Sequence, residues 1–166
     1  MSISIPLAIR CGALAALGLT ALAAAQGRAE PLEIKSIAEV ESRTVQAGRE
    51  TVKLIPADRV APGDRVIYTL EVRNAGATAI AAPSLTYAIP EHMSYVADSA
   101  VGPGAEVSYS VDRGRSFETP DNLNVRGPDG RLRLAVASEY TDIRWQLKNV
   151  LKPNSVAFVR FRALVK

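Results

Sequence analysis

The chain has very little cysteine and histidine, two residue types from which catalytic and metal sites are commonly built. Its 166 residues include one cysteine, one histidine and one tryptophan. The single histidine, His92, has no second histidine or mature cysteine with which to complete a zinc site or a thiol catalytic pair. No G-x-S-x-G elbow supplies a serine nucleophile. We therefore expect a protein that is not an enzyme, that holds no cofactor and that has no metal site built from histidine or cysteine.

The excess of positive charge is also small. The formal net charge is +3 at pH 7, and Arg10 in the leading segment accounts for part of it. Nucleic-acid-binding domains usually show a strong, clustered basic excess. We expect no nucleic-acid partner.

The first residues have the composition of a secretory signal. Arg10 precedes an apolar, alanine-rich run from Cys11 to Ala25 that ends in small residues. This pattern predicts a signal peptide over 1–25, with cleavage after Ala25 or after Ala29. The run is shorter than the roughly 20 apolar residues of a spanning helix, so no stable membrane span is expected after cleavage. The predicted location is the bacterial periplasm or the exterior of the cell.

The remainder, 30–166, is predicted to be one domain without disulfides, since the only cysteine lies in the signal segment. Its clearest strand follows Pro62 and Gly63 and ends at the turn from Asn74 to Gly76. Alternation places one set of side chains on the inner face, Val66, Tyr68, Leu70 and Val72, and the other set on the outer face, Ile67, Thr69, Glu71 and Arg73. Similar alternating segments, separated by turn residues, recur to the C-terminus. They predict an all-β fold, an antiparallel immunoglobulin-like β-sandwich.

Three segments resemble a bacterial family. The sequences PGDRVIYTLEVRNAG, YAIPEHMSYVADSA and WQLKNVLKPNSVAFVRFRALVK are similar in order and spacing to the "conserved repeat" domain, also called domain of unknown function eleven. The resemblance covers most of the chain from Leu54 to Lys166. It implies an immunoglobulin-like fold and a place in the cell envelope or on the surface. It implies no catalytic residues.

A local motif lies in YSVDRGRSF, which starts at Tyr109. It fits S-x-D-x-G-x-S-F and resembles the Asp-box hairpin of several secreted folds; the matching residues are Ser110, Asp112, Gly114, Ser116 and Phe117. We interpret the motif as a structural turn. In this interpretation the carboxylate accepts backbone N–H bonds, glycine supplies a positive φ and the aromatic ring packs beneath.

Three arginines form a candidate docking ridge. Arg160 and Arg162 share the outward side of the last alternating segment, and Arg144 flanks Trp145, which we place in the core. If these two segments paired as a hairpin, the arginines could form one basic surface for an envelope protein or an anionic envelope polymer. The interpretation we favour is a solvated sheet face.

The polar segment from Glu118 to Arg126 is predicted to be a loop. Its oxygen-bearing side chains, and that of Asp129 beyond it, leave calcium binding open, although the spacing lacks the D-x-D-x-D-G pattern. We expect a non-catalytic, exported binding or structural module of the cell envelope. The alternative is a small periplasmic hydrolase that acts on envelope glycans through this loop.

Overall fold

The fold is given by a computed structural model that describes residues 32–46 and 48–166. The predicted signal peptide over 1–25 and its candidate cleavage sites, after Ala25 and Ala29, lie outside the described residues. Within the described part, no helix is long and apolar enough to cross a membrane.

The described residues form ten strands and one short 3₁₀ turn at Ala137–Glu139. All strand pairs are antiparallel, which confirms the all-β prediction. The strands are β1 Leu32–Gln46, β2 Arg49–Pro56, β3 Arg65–Asn74, β4 Ser84–Ala88, β5 Met93–Tyr95, β6 Ala105–Ser110, β7 Asn124–Arg126, β8 Leu132–Leu134, β9 Asp142–Leu147 and β10 Val156–Val165.

The strands are arranged in two main sheets and a small hairpin. One sheet has five strands in the order β2-β1-β3-β10-β5, and the other has three in the order β4-β9-β6. Strands β7 and β8 pair only with each other among the described residues. The chain changes sheet between β3 and β4, between β4 and β5, between β5 and β6, and between β9 and β10. Consecutive strands are therefore often in different sheets.

One hydrophobic core joins the inner faces of both main sheets. Strand β3 contributes Val66, Tyr68, Leu70 and Val72, the alternating set predicted from the sequence, and all four are buried. Trp145 of β9 is fully buried, and its ring lies 6.1 Å from that of Phe161 of β10 in the other sheet. The prediction that Trp145 lies in the core is confirmed.

The end of β3 is fixed by one buried amide side chain. Asn74 is fully buried; its Nδ2 donates to the carbonyl oxygens of Thr78 and Leu151, and its Oδ1 accepts from the N–H of Gly76. The N–H of Asn154 also donates to the carbonyl oxygen of Asn74. These bonds attach the turn between β9 and β10 to the end of β3. The next strand, β10, therefore starts alongside β3.

Strands β1 and β2 extend beyond the rest of their sheet. Residues 32–40 of β1 pair with β3, whereas within the described part of the chain residues 41–46 pair only with residues 49–54 of β2. We call this two-stranded ribbon, residues 41–46 and 49–54, the β1–β2 arm. Every residue of β2 is exposed.

Candidate functional site

The turn that connects β6 to the next segment is built around the carboxylate of Asp112. Its Oδ1 accepts the backbone N–H groups of Arg115 and Ser116, at 3.0 and 2.9 Å. The hydroxyl of Ser116 donates to Oδ2 at 2.7 Å, and that of Ser110 donates to Oδ1 at 2.7 Å. Bonds from Ser116 above all, and from Ser110 and Arg115, hold the pKa of Asp112 well below its usual range, because they stabilise the ionised form.

Ser110 completes this turn from inside the fold. It is fully buried, and its hydroxyl oxygen accepts the N–H groups of Asp112 and Gly114, at 3.1 and 2.9 Å. The backbone has positive φ at Arg113 and Gly114, +61° and +77°. The hydrogen bonds fix a chain reversal with positive φ, a backbone conformation that residues other than glycine rarely adopt without strain. These hydrogen bonds explain why the motif residues have this spacing, and the explanation requires no bound substrate.

The turn folds over the outer face of the three-stranded sheet. The guanidinium carbon of Arg144 on β9 lies 3.6 Å from the centre of the Phe117 ring, a cation–π contact. A Cβ on Gly114 would lie 3.5 Å from Oδ1 of Asp142, the first residue of β9. The turn thus covers two charged side chains of β9: the Phe117 ring lies against Arg144, and Gly114 lies over Asp142.

Asp142 also lines a cleft beside the turn, which we call the Asp142 cleft. Its volume is about 560 Å³, and its other lining residues are 88–91, Met93, Arg113, 138–141 and Lys166. Asp142 is only 8% exposed, and its Oδ2 has no hydrogen-bond partner among the described residues. The sequence did not single out Asp142. It lies two residues before Arg144 on the same strand, so alternation places both side chains on the outer face of the sheet, and Asp142 belongs to no recognisable motif.

The three arginines of the candidate ridge do not lie on one surface. Strands β9 and β10 were expected to pair as a hairpin, but β9 pairs with β4 and β6, and β10 pairs with β3 and β5. Arg144 is therefore in the three-stranded sheet, and Arg160 and Arg162 are in the five-stranded sheet. The condition for a single ridge is not met, because Asn74 directs β10 to β3. Arg160 instead donates to the Thr69 hydroxyl at 3.1 Å.

The segment from Glu118 to Arg126 is more ordered than the predicted loop. Its first residue bridges to Tyr109, and its last three residues form β7. The amide of Asn122 donates to the hydroxyl of Thr119, and Oδ1 of Asp129 accepts the N–H of Arg131. Within the described residues, no group of three or more histidine, cysteine, aspartate or glutamate side chains could hold a metal ion.

The β1–β2 arm is a second surface that the sequence did not single out. Val45, Val52 and Leu54 are 69%, 51% and 43% exposed on it, and Ile55 next to it is 44% exposed. Strand β2 pairs with β1 along one edge, and no described strand pairs with its other edge. An exposed apolar strand edge of this kind is typical of interaction sites.

No protein-family model matches the chain, and no match was found among the curated proteins or among the solved structures.

Proposed function

We propose that this protein is an exported, non-catalytic module of the bacterial cell envelope, and that it contacts a partner protein through the β1–β2 arm. The observation that carries the proposal is the arm itself: a ribbon of two strands with large apolar side chains exposed on both. A two-stranded ribbon without a third strand or a packed face is only marginally stable in water. A partner strand added to the free edge of β2 would complete its hydrogen bonds and cover its apolar side chains.

The number of strands in the two sheets, and not their order along the chain, supports an immunoglobulin-like sandwich. If β2 is left out, one sheet has four strands, in the order β1-β3-β10-β5, and the other has three, in the order β4-β9-β6. Constant-type immunoglobulin domains also have one four-stranded and one three-stranded sheet. The first four of these strands, β1, β3, β4 and β5, follow the chain order of those domains. The last three, β6, β9 and β10, follow it in reverse. The proposed relation to the "conserved repeat" domain therefore concerns the architecture and the sequence segments quoted above.

Export is the first part of the proposal to test. The full chain, expressed with a C-terminal tag in a Gram-negative host, should be recovered from the periplasmic fraction or the medium. Its intact mass should correspond to a chain that begins at Gln26 or Glu30. Full-length protein that remains in the cytoplasm would refute export.

The arm is tested by replacing its exposed apolar side chains with charged ones. Val52→Lys with Leu54→Lys should abolish crosslinking of the protein to its envelope partner in intact cells, because lysines on an edge strand oppose strand addition. The matched control is Leu132→Lys with Leu134→Lys on β8, since these leucines are 65% and 52% exposed on another two-stranded hairpin.

Both double variants should keep the wild-type free energy of unfolding within about 0.5 kcal/mol per site, because all four positions are exposed. Crosslinking that survives in the arm variant, or that is lost equally in the β8 control, would show that the arm is not the contact surface.

A further inference from the structure

Strand β10 has an open edge near its first residues. On the side away from β3, Arg160 exchanges two backbone hydrogen bonds with Val101, both of 2.8 Å. Every second residue of an antiparallel strand directs its N–H and C=O groups to the same side, so Phe158 and Val156 direct theirs to this side as well. No described strand pairs with them there, because the chain leaves β10 after Val101 and turns to β6 in the other sheet.

A mainly apolar groove lies beside this edge. Its volume is about 400 Å³, and its lining residues are Pro103, Leu147, 149–152 and 155–158. Leu147 and Leu151 belong to the buried core, whereas Val156 and Phe158 are 40% and 52% exposed on the outer face of the sheet. We call the edge at Val156 and Phe158, together with this groove, the β10 groove. An extended polypeptide segment suits it, because a strand supplies both the backbone partners and apolar side chains on two faces.

Strand β2 of the β1–β2 arm has the properties that this segment needs. No described strand pairs with its edge away from β1. Leu54 and Ile55 are neighbours in sequence, so their side chains lie on opposite faces of the strand, and they are 43% and 44% exposed. Val52, which is 51% exposed, shares the face of Leu54. The strand therefore carries apolar side chains on both faces, as the β10 groove requires.

The other hairpin with exposed leucines does not fit in this way. Leu132 and Leu134 of β8 lie on one face of their strand. Arg133 lies between them on the opposite face and donates two hydrogen bonds to Glu139, of 2.7 and 2.6 Å. Strand β8 thus offers apolar side chains on one face only.

We propose that the β1–β2 arm of one copy of this protein enters the β10 groove of a second copy, so that β2 adds a strand beside β10. The proposal rests on the proposed role of the arm and names its partner as the same chain. The contact joins two different surfaces, so copies assemble head to tail, into a ring if the rotation closes and into a chain if it does not. A single added strand buries less surface than the roughly 1,200 Å² of the smaller standard interfaces, so we expect a Kd of about 10–100 µM.

The test is sedimentation velocity of the purified exported protein at about 5 to 500 µM, a range that spans the expected Kd. The weight-average mass of the wild type should rise with concentration. Two variants should each remain monomeric, because lysines on an edge strand oppose strand addition. They are the arm variant, Val52→Lys with Leu54→Lys, and the groove variant, Val156→Lys with Phe158→Lys. Both should keep the urea midpoint of the wild type, since all four side chains are exposed.

A mixture of the arm variant and the groove variant separates head-to-tail contact from other arrangements. Each variant keeps the surface that the other lacks, so an equimolar mixture should form a dimer and nothing larger. The matched control, Leu132→Lys with Leu134→Lys on β8, should associate like the wild type. The proposal is overturned by a wild type that is monomeric throughout, or by a mixture that stays monomeric, as pairing of two arms with each other would predict.

The failure of this proposal is distinguishable from failure of the proposed function. If the arm variant loses crosslinking to a different envelope protein in cells while the purified wild type is monomeric, the proposed function stands and the second copy is excluded as the partner. Crosslinking in cells that survives in the arm variant refutes the proposed function itself.

Discussion

Replacement of Trp145 separates two contributions to the stability of the core. The side chain is fully buried between the two sheets, where its ring contacts Phe161. A Cβ on Gly102 would lie 3.3 Å from Cδ1 of the indole, so the surrounding atoms leave little free space. Trp145→Ala should therefore lower the free energy of unfolding by about 3–5 kcal/mol through lost transfer energy and a cavity. For a domain whose total stability is about 5–15 kcal/mol, this loss is a large fraction.

Trp145→Phe should lower the free energy of unfolding much less, by about 2 kcal/mol or below. It keeps an aromatic ring and removes the indole N–H, which is buried without a hydrogen-bond partner among the described residues. An unsatisfied buried donor costs about 1–3 kcal/mol, so its removal offsets part of the cavity that the smaller ring leaves. The difference in free energy of unfolding between the two variants measures how much the packing of an aromatic ring contributes beyond the cost of the unsatisfied indole N–H.

The assay is urea denaturation followed by far-UV circular dichroism, because Trp145 is the only tryptophan and its fluorescence is absent from both variants. With an m-value near 2 kcal/mol/M, Trp145→Ala should lower the midpoint by about 2 M. Phe158→Ala is the control: Phe158 is an aromatic residue of β10 that is 52% exposed, and its loss should cost below about 1 kcal/mol. A Phe variant as unstable as the Ala variant would refute the reasoning, since it would mean that the indole N–H is engaged.

Three other predictions concern the turn and the end of β3. Gly114→Val should cost about 1–3 kcal/mol, because φ is +77° there and a β-branched residue is strained in that region; an unchanged urea midpoint would contradict this. The folded-state pKa of Asp112 is lowered, so its contribution to stability is complete above the unfolded pKa near 3.9 and is lost as the pH falls below it. The Tm difference between the wild type and Asp112→Asn should consequently shrink between about pH 5 and pH 2, and a constant difference would exclude the carboxylate as its source. Asn74→Ala should lower the free energy of unfolding by about 2–4 kcal/mol, because it removes three hydrogen bonds of a fully buried side chain. Thermal unfolding measures this loss, and Asn74→Asp, which keeps the acceptor oxygen but lacks the two N–H bonds of Nδ2, is the comparison.

Residue alternation predicted the core of the central strands well. On β3 and β9, side chains of one parity face the other sheet, so a period of two is enough to place Leu70 and Trp145 inside. The same rule placed Ile67 on the outer side of β3, yet it is only 3% exposed. Its register neighbours are Glu39 on β1 and Arg162 on β10, whose long side chains can cover it. A central strand can be buried on both faces, and alternation alone does not reveal this.

The edges of the fold were predicted less well, because burial there depends on how wide the opposite sheet is. Ile34 of β1 has the parity of the core side chains and is the register partner of buried Val72, but it is 51% exposed. The opposite sheet has only three strands, and β1 lies toward the edge of the wider sheet. The prediction that β9 and β10 pair as a hairpin, on which the candidate ridge depended, was wrong for a related reason. The turn at Lys152 to Ser155 marks a change of direction, but the buried bonds of Asn74 decide which strand follows it as a neighbour.

The turn around Asp112 has a consequence beyond its own stability. Ser110 and Asp142 are register partners on the outer face of a sheet, where solvent exposure is the default for polar side chains. Both are buried, and the turn contacts both: through the bonds to the Ser110 hydroxyl, and through Gly114 over Asp142. The hydrogen bonds that fix the turn therefore also keep the Asp142 carboxylate away from water. A motif that requires no ligand for its own geometry thus determines how deeply an acidic side chain of the neighbouring strand is buried.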